Sequence, residues 1–196
     1  TPDNLAIVSI GPRRHRFVRP IVTLARPQPR SPLIVPRKRS SKRPGASAGA
    51  AQKGQVRIIG GERRGHRLHF VDHGGDLRPS SDRMRETLFN WLQFEVPGLR
   101  VLDLFAGSGA LGAEALSRGA RDAVLVEKQR ERCADLSRQL TPLFEGRITV
   151  HCADALSWLP AQQEPFDLIF IDPPYDLGLV TPACEALEAH GLLASG

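Results

Sequence analysis

Asp172, Pro173, Pro174 and Tyr175 form the segment of this chain whose residue types and order point most directly to chemistry. Two successive prolines remove two amide donors and keep the backbone out of a helix. The Asp172 carboxylate and the Pro173 carbonyl can then both accept hydrogen bonds from one planar amine, with the Tyr175 ring available for that planar group to stack on. A second cluster starts at Asp103 and runs through Phe105 to Gly107, Gly109 and Gly112, which spell a literal G-x-G-x-x-G. Glycines at such positions let a ligand approach the backbone closely and point a helix N-terminus at it. Glu127 follows Gly107 by 20 positions, where an acidic side chain at a strand end accepts hydrogen bonds from ribose hydroxyls.

The glycine loop and Glu127 alone suit a dinucleotide almost as well as S-adenosylmethionine. Two features separate them. A carboxylate at Asp103, four residues before the first glycine, repels a pyrophosphate and can pair with the ammonium of a methionine moiety. The tetrapeptide at 172–175 has no role in hydride transfer, whereas it suits methylation of an exocyclic base amine. Such an amine is a poor nucleophile because its lone pair is delocalised into the ring. Accepting both of its N–H groups favours pyramidalisation and aims the lone pair, so that catalysis is positioning plus electrostatics. Asp154 is a candidate acceptor for an adenine amino group, with Ala155 offering its backbone N–H. Asp154 serves equally well as the N-cap of a short helix at 155–159.

These residues need elements to hold them. From residue 99 onward apolar strands alternate with helix-sized segments: strands at 101–105, 123–127, 148–152 and 166–171, and helices at about 110–118, 130–140 and 155–159 and from 179 to near Gly191. That rhythm predicts an α/β domain with a largely parallel sheet, which binds ligands at the carboxyl ends of its strands. Ahead of it, Val56, Ile58, Leu68 and Phe70 frame the polar turn at 60–65, a β-hairpin pattern in which Arg57, Arg63 and Arg64 can reach phosphates. Ser80, Ser81 and Asp82 then offer N-caps to an amphipathic helix carrying Met84, Leu88, Trp91 and Leu92 and ending before Pro97. Arg83 and Arg85 are expected to project from it. Three parts follow: a basic tail at 1–54, a hairpin and helix at 55–98, and the α/β domain at 99–196.

The net charge of +6 is unevenly placed. Residues 1–55 carry 12 Lys+Arg against Asp3 alone, and the remainder carries 15 Lys+Arg against 20 Asp+Glu. The basic character therefore belongs to the tail, so overall charge is no argument for nucleic-acid binding. Rich in Pro, Arg, Ser and Ala without apolar periodicity, the tail is expected to be disordered. It reads as a phosphate-binding arm, an organelle transit peptide or sequence ahead of a true start. The opening Thr1 implies upstream sequence, and an α/β sheet would continue beyond Gly196, leaving the strand at 166–171 as an open edge. The run from Leu5 to Ile10 is too short for a signal-peptide core, and no segment reaches the roughly 18 apolar residues of a membrane span. Cys133, Cys152 and Cys184 show no C-x-x-C pairing and suit a reducing, cytoplasmic setting, with Cys133 and Cys152 expected as buried packing residues. His66, His69 and His73 spread across a strand end and a loop rather than one helix face, so no metal is expected.

Taken together, these motifs resemble the RsmD-like bacterial methyltransferases that modify a guanine N2 amine of small-subunit (16S) ribosomal RNA. The resemblance rests on Val56 to Gly61, on the run from Leu77 to Asn90, on Asp103 to Gly119 and on Asp172 to Tyr175. It implies a Rossmann-like methyltransferase sheet with a small N-terminal hairpin and helix, S-adenosylmethionine as cofactor, and a monomer acting on the small subunit or its RNA. It also implies Asp172 to Tyr175 as catalytic residues, and Arg78, Arg83 and Arg85 near the RNA-facing pocket. Three other readings use parts of the same pattern. A DNA adenine N6-methyltransferase needs a larger target-recognition module than residues 56–98 provide. An NAD-dependent oxidoreductase leaves the tetrapeptide without a role. A non-catalytic RNA-binding or ribosome-assembly factor would rely on the tail.

Overall fold

The computed structural model describes residues 6–9, 52–72, 80–174 and 177–194. Among the described residues the main sheet has five strands, and a separate two-stranded hairpin falls between its first and second strands in the chain. In chain order the elements are β1 (Ala6–Ser9), β2 (Gln52–Arg57), β3 (Arg67–Asp72), α1 (Asp82–Trp91), β4 (Arg100–Asp103), α2 (Ala110–Ser117), β5 (Asp122–Glu127), α3 (Arg130–Leu143), β6 (Ile148–Cys152), α4 (Ala155–Trp158), β7 (Leu168–Ile171) and α5 (Val180–Ala189), with a 3-10 turn at Leu159–Ala161 after α4.

The central strands form because their sequences are apolar on both faces, as a strand covered by helices on either side requires. β7 reads Leu-Ile-Phe-Ile and is buried throughout. Successive residues alternate between two cores. Val101, Leu125, Leu168 and Phe170 pack toward α1, α2, α3 and the hairpin, joining Leu88, Phe89, Leu111, Leu136 and Leu140. Leu102, Val124, Ile169 and Ile171 face the other way, toward Ala155 of α4 and Ala183 and Leu187 of α5. The sheet order is β1-β7-β4-β5-β6. β4, β5 and β6 are laid down successively in parallel, and the chain then crosses back to place β7 parallel on the other side of β4. The direction of winding reverses between β4 and β7. In open α/β sheets that switch point, at the carboxyl ends, is where ligands bind.

Several elements differ from the sequence-based expectation. β7 is not an open edge: β1 pairs with it antiparallel, Ala6 opposite Ile171 and Ser9 opposite Leu168. β1 lies inside the stretch expected to be a disordered tail, and β2 begins at Gln52, ahead of the boundary drawn at 55. The run Ala-Ile-Val that forms β1 has the β-branched character of a strand, and antiparallel pairing satisfies backbone groups of β7 that would otherwise face outward. Helix α1 ends at Trp91, ahead of Pro97 as expected, with Leu92 as its C-cap rather than inside it. The turns that follow bury Val96 and leave Phe94 outside. Among the described residues no helix is long and apolar enough to cross a membrane.

Candidate active site

Three carboxylates meet at the switch point. Asp103 is the last residue of β4, Glu127 the last of β5, and Asp172 follows directly on β7. The register sets Asp103 beside Leu125 on one side and Phe170 on the other, so the ends of all three strands are neighbours.

Asp103 is the most constrained of the three. It is 1% exposed, and its Oδ2 accepts a hydrogen bond of 3.0 Å from the Gly112 N–H in the first turn of α2. Its Oδ1 is buried and has no hydrogen-bond donor among the described residues. Burial, opposed by the Gly112 bond and reinforced by the charges of Asp172 and Glu127, pushes its pKa up to about 7. A buried carboxylate oxygen without a donor is costly, and a cation brought to it would relieve both the desolvation and the mutual repulsion.

The glycine loop connects Asp103 to α2. Gly107 and Gly109 adopt left-handed backbone conformations, φ 52° and 71°, and Gly109 is the N-cap of α2. A Cβ on Gly109 would lie 2.6 Å from Leu136 Cδ2, so the position is closed to side chains by sterics as well as by φ. Gly112 lies against the sheet in the same way, with Leu125 Cδ1 at 2.6 Å from a Cβ built there. Glu127 fastens the loop from the next strand. Its Oε2 accepts from the Gly107 N–H at 3.0 Å and its Oε1 from the Gln129 N–H at 2.8 Å. Phe105 is half-buried, its buried part packed on the α4 and α5 side.

In the tetrapeptide, Asp172 Oδ2 accepts from the Ser80 hydroxyl at 2.8 Å, Pro173 is buried and Pro174 exposed. Tyr175 and Arg78 lie outside the described residues, as does His73. Asp154 is exposed and caps α4, its Oδ1 accepting from the Ser157 N–H at 3.2 Å and from the Ser157 hydroxyl at 3.3 Å, while Ala155 is buried. Of its two candidate uses the structure displays the capping one.

The arginines divide. Arg64 and Arg83 are exposed, Arg57 is exposed and 3.3 Å from Asp82 Oδ2, and Arg63 is partly covered beside Glu62. Arg85, expected to project toward RNA, is instead 0% exposed. Its guanidinium donates to the carbonyls of Ser80 (3.3 Å) and Arg57 (2.9 Å) and to Asp82 Oδ1 (2.6 Å), with Glu114 Oε2 at 3.8 Å from Nη1. Five fixed donors let one arginine tie together several separate pieces of chain, and that joinery is the role its position allows. A similar correction applies to Cys152, which is exposed, whereas Cys133 is buried and donates to the Glu127 carbonyl. Burial and the neighbouring Cys152 push the Cys133 thiol up to about 12, which leaves it protonated. Among the described residues no group of His, Cys, Asp and Glu is placed to hold a metal ion.

Sequence reasoning missed Glu114. It is fully buried within α2, where its two oxygens accept from the N–H groups of Ile59 (2.7 Å) and Gly60 (2.8 Å) and from Arg118 Nε (2.7 Å). Ser117 adds to the seam: its hydroxyl donates to the Gly60 carbonyl at 2.5 Å and accepts from the Arg63 N–H at 2.9 Å. The hairpin turn is therefore docked on α2, not free at a tip. The available signal was a single acid in an otherwise apolar helix, Ala-Leu-Gly-Ala-Glu-Ala-Leu-Ser.

A doubly wound α/β sheet with a glycine loop, acidic strand ends and an Asp-Pro-Pro segment at its switch point defines the methyltransferase class. The family model described as Conserved hypothetical protein 95 matches residues 56–196, and the chain belongs to that family. It is 46% identical over 141 residues to the ribosomal RNA small subunit methyltransferase D of Escherichia coli K12, covering 72% of this chain and 71% of that relative. The Haemophilus influenzae protein of the same name is 40% identical over 139 residues, 69% and 72% of the two chains. Among solved structures, an Escherichia coli protein described as a putative methyltransferase superposes with a TM-score of 0.64 at 44% identity, over 72% of this chain and 76% of that one. A Thermus protein superposes with a TM-score of 0.59 at 36% identity, over 72% and 81%.

Proposed function

We propose that this protein transfers a methyl group from S-adenosylmethionine to the exocyclic N2 amine of a guanine in small-subunit ribosomal RNA. The observation that carries the cofactor part of the reading is the buried Asp103 Oδ1, which has no donor among the described residues and lies in the field of Asp172 and Glu127. A cationic ligand without phosphates suits that environment, and a pyrophosphate does not. The named homologues, ribosomal RNA small subunit methyltransferases D, support the RNA part.

S-adenosylmethionine supplies an electrophilic methyl group on a sulfonium. Asp103 would pair with the ligand's ammonium. Glu127 already accepts two backbone N–H groups, but an ionised carboxylate has about four acceptor sites, which leaves capacity for ribose hydroxyls. Gly107 and Gly109 let the ligand lie against the backbone, Phe105 contributes apolar contact, and the Ala155 N–H and Asp154 stand at the adenine end. The Asp172 carboxylate and the Pro173 carbonyl would accept the two N–H groups of the guanine amine and aim its lone pair, while Tyr175 stacks on the base. Residues 55–98 form the RNA-facing part, with Arg57, Arg63, Arg64, Arg78 and Arg83 meeting phosphates. A monomer in the cytoplasm, acting without a metal, is sufficient for this chemistry.

The test is transfer of a labelled methyl group to purified, unmodified small ribosomal subunits, with Asp172→Ala as the comparison. Label recovered as N2-methylguanine, reduced about 100-fold or more by the substitution, is the expected outcome. Label appearing in duplex DNA adenine and not in the subunit would overturn the substrate assignment.

A further inference from the structure

We infer that Ser80 is a positioning residue that fixes the orientation of the Asp172 carboxylate for the incoming amine. The inference rests on the reading of Asp172 as an amine acceptor. Ser80 and Asp172 are 92 positions apart, yet the hydroxyl of the buried Ser80 and Oδ2 of the half-buried Asp172 are 2.8 Å apart. An ionised carboxylate can only accept, so the serine donates. Rotation of an aspartate carboxylate about its last torsion is broad and weakly restrained. A hydrogen bond from a fixed donor removes that freedom, and with it the chance that the amine meets the carboxylate in the wrong plane.

The donor is itself held on two sides. Ser80's carbonyl accepts from Arg85 Nε at 3.3 Å. Arg85 is fully buried and held by the Arg57 carbonyl and by Asp82. The next residue, Ser81, caps α1 by accepting from the Met84 N–H at 3.3 Å. The serine therefore stands at the joint between the cap of α1, the hairpin and the tetrapeptide. A residue read from sequence only as a possible helix cap is the link by which the hairpin-and-helix region reaches the residues that would receive the base. Anything that shifts α1 on binding RNA would move the Asp172 carboxylate with it.

The experiment compares Ser80→Ala, Ser80→Thr and Asp172→Ala in the full chain. It measures kcat and KM with unmodified small subunits, S-adenosylmethionine affinity by calorimetry, and thermal stability. Misplacement of a reacting group by a fraction of an ångström to 1 Å can cost up to about 100-fold in rate. Ser80→Ala is expected to lower kcat by about 10- to 100-fold while KM, cofactor affinity and Tm stay close to those of the parent protein. Ser80→Thr, which keeps the hydroxyl, recovers most of that loss. If Asp172→Ala is inactive while Ser80→Ala keeps its full kcat, the positioning role is wrong and the tetrapeptide reading stands. A Ser80→Ala protein that loses kcat, KM and Tm together and is not rescued by threonine would mean a structural role and also overturn the inference. Should Asp172→Ala retain activity, the tetrapeptide reading falls and this inference falls with it.

Discussion

Glu114 and Asp103 are two buried acids 11 positions apart, on α2 and on the strand that leads into it, and they are treated oppositely by their surroundings. Glu114 is 0% exposed and surrounded by donors: two backbone N–H groups, the Arg118 guanidinium and, slightly further away, that of Arg85. Asp103 is 1% exposed, has one donor on one oxygen and none among the described residues on the other, and faces two further carboxylates. Burying a charge is tolerable when its hydrogen bonds are replaced. The Glu114 site meets that condition and serves as a fastener between the hairpin and the α/β domain. The Asp103 site does not, and an arrangement so costly to the folded state is where strain in service of function is expected. By burial alone the two acids are alike. Only the count of their donors separates joinery from chemistry.

The comparison can be broken by removing each side. The largest effect is expected from Glu114→Ala, which leaves the Ile59 and Gly60 N–H groups and Arg118 Nε without their acceptor and takes an ion-pair partner from Arg85. Breaking a buried ionic network by deleting one member typically costs about 3–5 kcal/mol, to be read by denaturant unfolding. Next is Gly61→Ala in the hairpin turn. Gly61 has φ 77°, and a Cβ there would lie 1.7 Å from the Ser117 carbonyl oxygen, so the docked turn must part from α2. A loss of about 2 kcal/mol is expected, again in stability, with Asp103 and its surroundings untouched. If either variant lowered cofactor affinity while leaving stability intact, the division of labour between the two regions would be wrong.

A smaller and more graded effect sharpens the Asp103 side. Its pKa rises from 3.8 to about 7 on folding, so the folded protein binds the proton more tightly than the unfolded chain. By linkage, this group's contribution to stability without ligand is fully present below about pH 4, declines as pH rises, and is gone above about pH 7. Affinity for a cationic ligand runs the other way. The proton must leave before the ammonium can pair, so affinity climbs from pH 5 to about pH 7 by up to about tenfold per unit and then levels. Calorimetry of S-adenosylmethionine binding across that range, in two buffers of different ionisation enthalpy, should show a proton released on binding below pH 7. An affinity independent of pH from 5 to 7 would place the ammonium elsewhere.

Much of this organisation was legible in the sequence because it depends on local pattern. β5, β6 and β7 are short apolar runs between turn signals, and the expected segments at 123–127, 148–152 and 166–171 overlap the observed Asp122–Glu127, Ile148–Cys152 and Leu168–Ile171. The strand-end acids followed from the same pattern, since position at the end of a predicted strand locates a side chain at the ligand-binding edge. What was not legible depends on contacts between distant parts of the chain. Arg85 looked like an exposed helix charge because periodicity says which face a residue is on, but not that a hairpin carbonyl and a neighbouring helix will enclose that face. Ser80 reads as a cap candidate in any sequence, and its bond to Asp172 exists only once α1 is folded onto the sheet. β1 is not legible because four residues ahead of a Pro- and Arg-rich stretch carry too little pattern to suggest a partner strand more than 150 positions away.

The most direct test of the account is Asp103→Asn, which keeps shape and the Gly112 contact while removing the charge. Thermal stability would be measured alone and with saturating S-adenosylmethionine. The account predicts that without ligand the variant is at least as stable as the parent protein at pH 7.5, because a repelled and poorly solvated charge is gone. It also predicts that S-adenosylmethionine affinity falls about 100-fold, a differential of about 2.7 kcal/mol, which largely abolishes the ligand's stabilising effect at moderate concentration. A variant that loses stability as Glu114→Ala does, yet binds the ligand with parental affinity, would show that Asp103 is joinery too and would contradict the assignment of the switch point as the cofactor site.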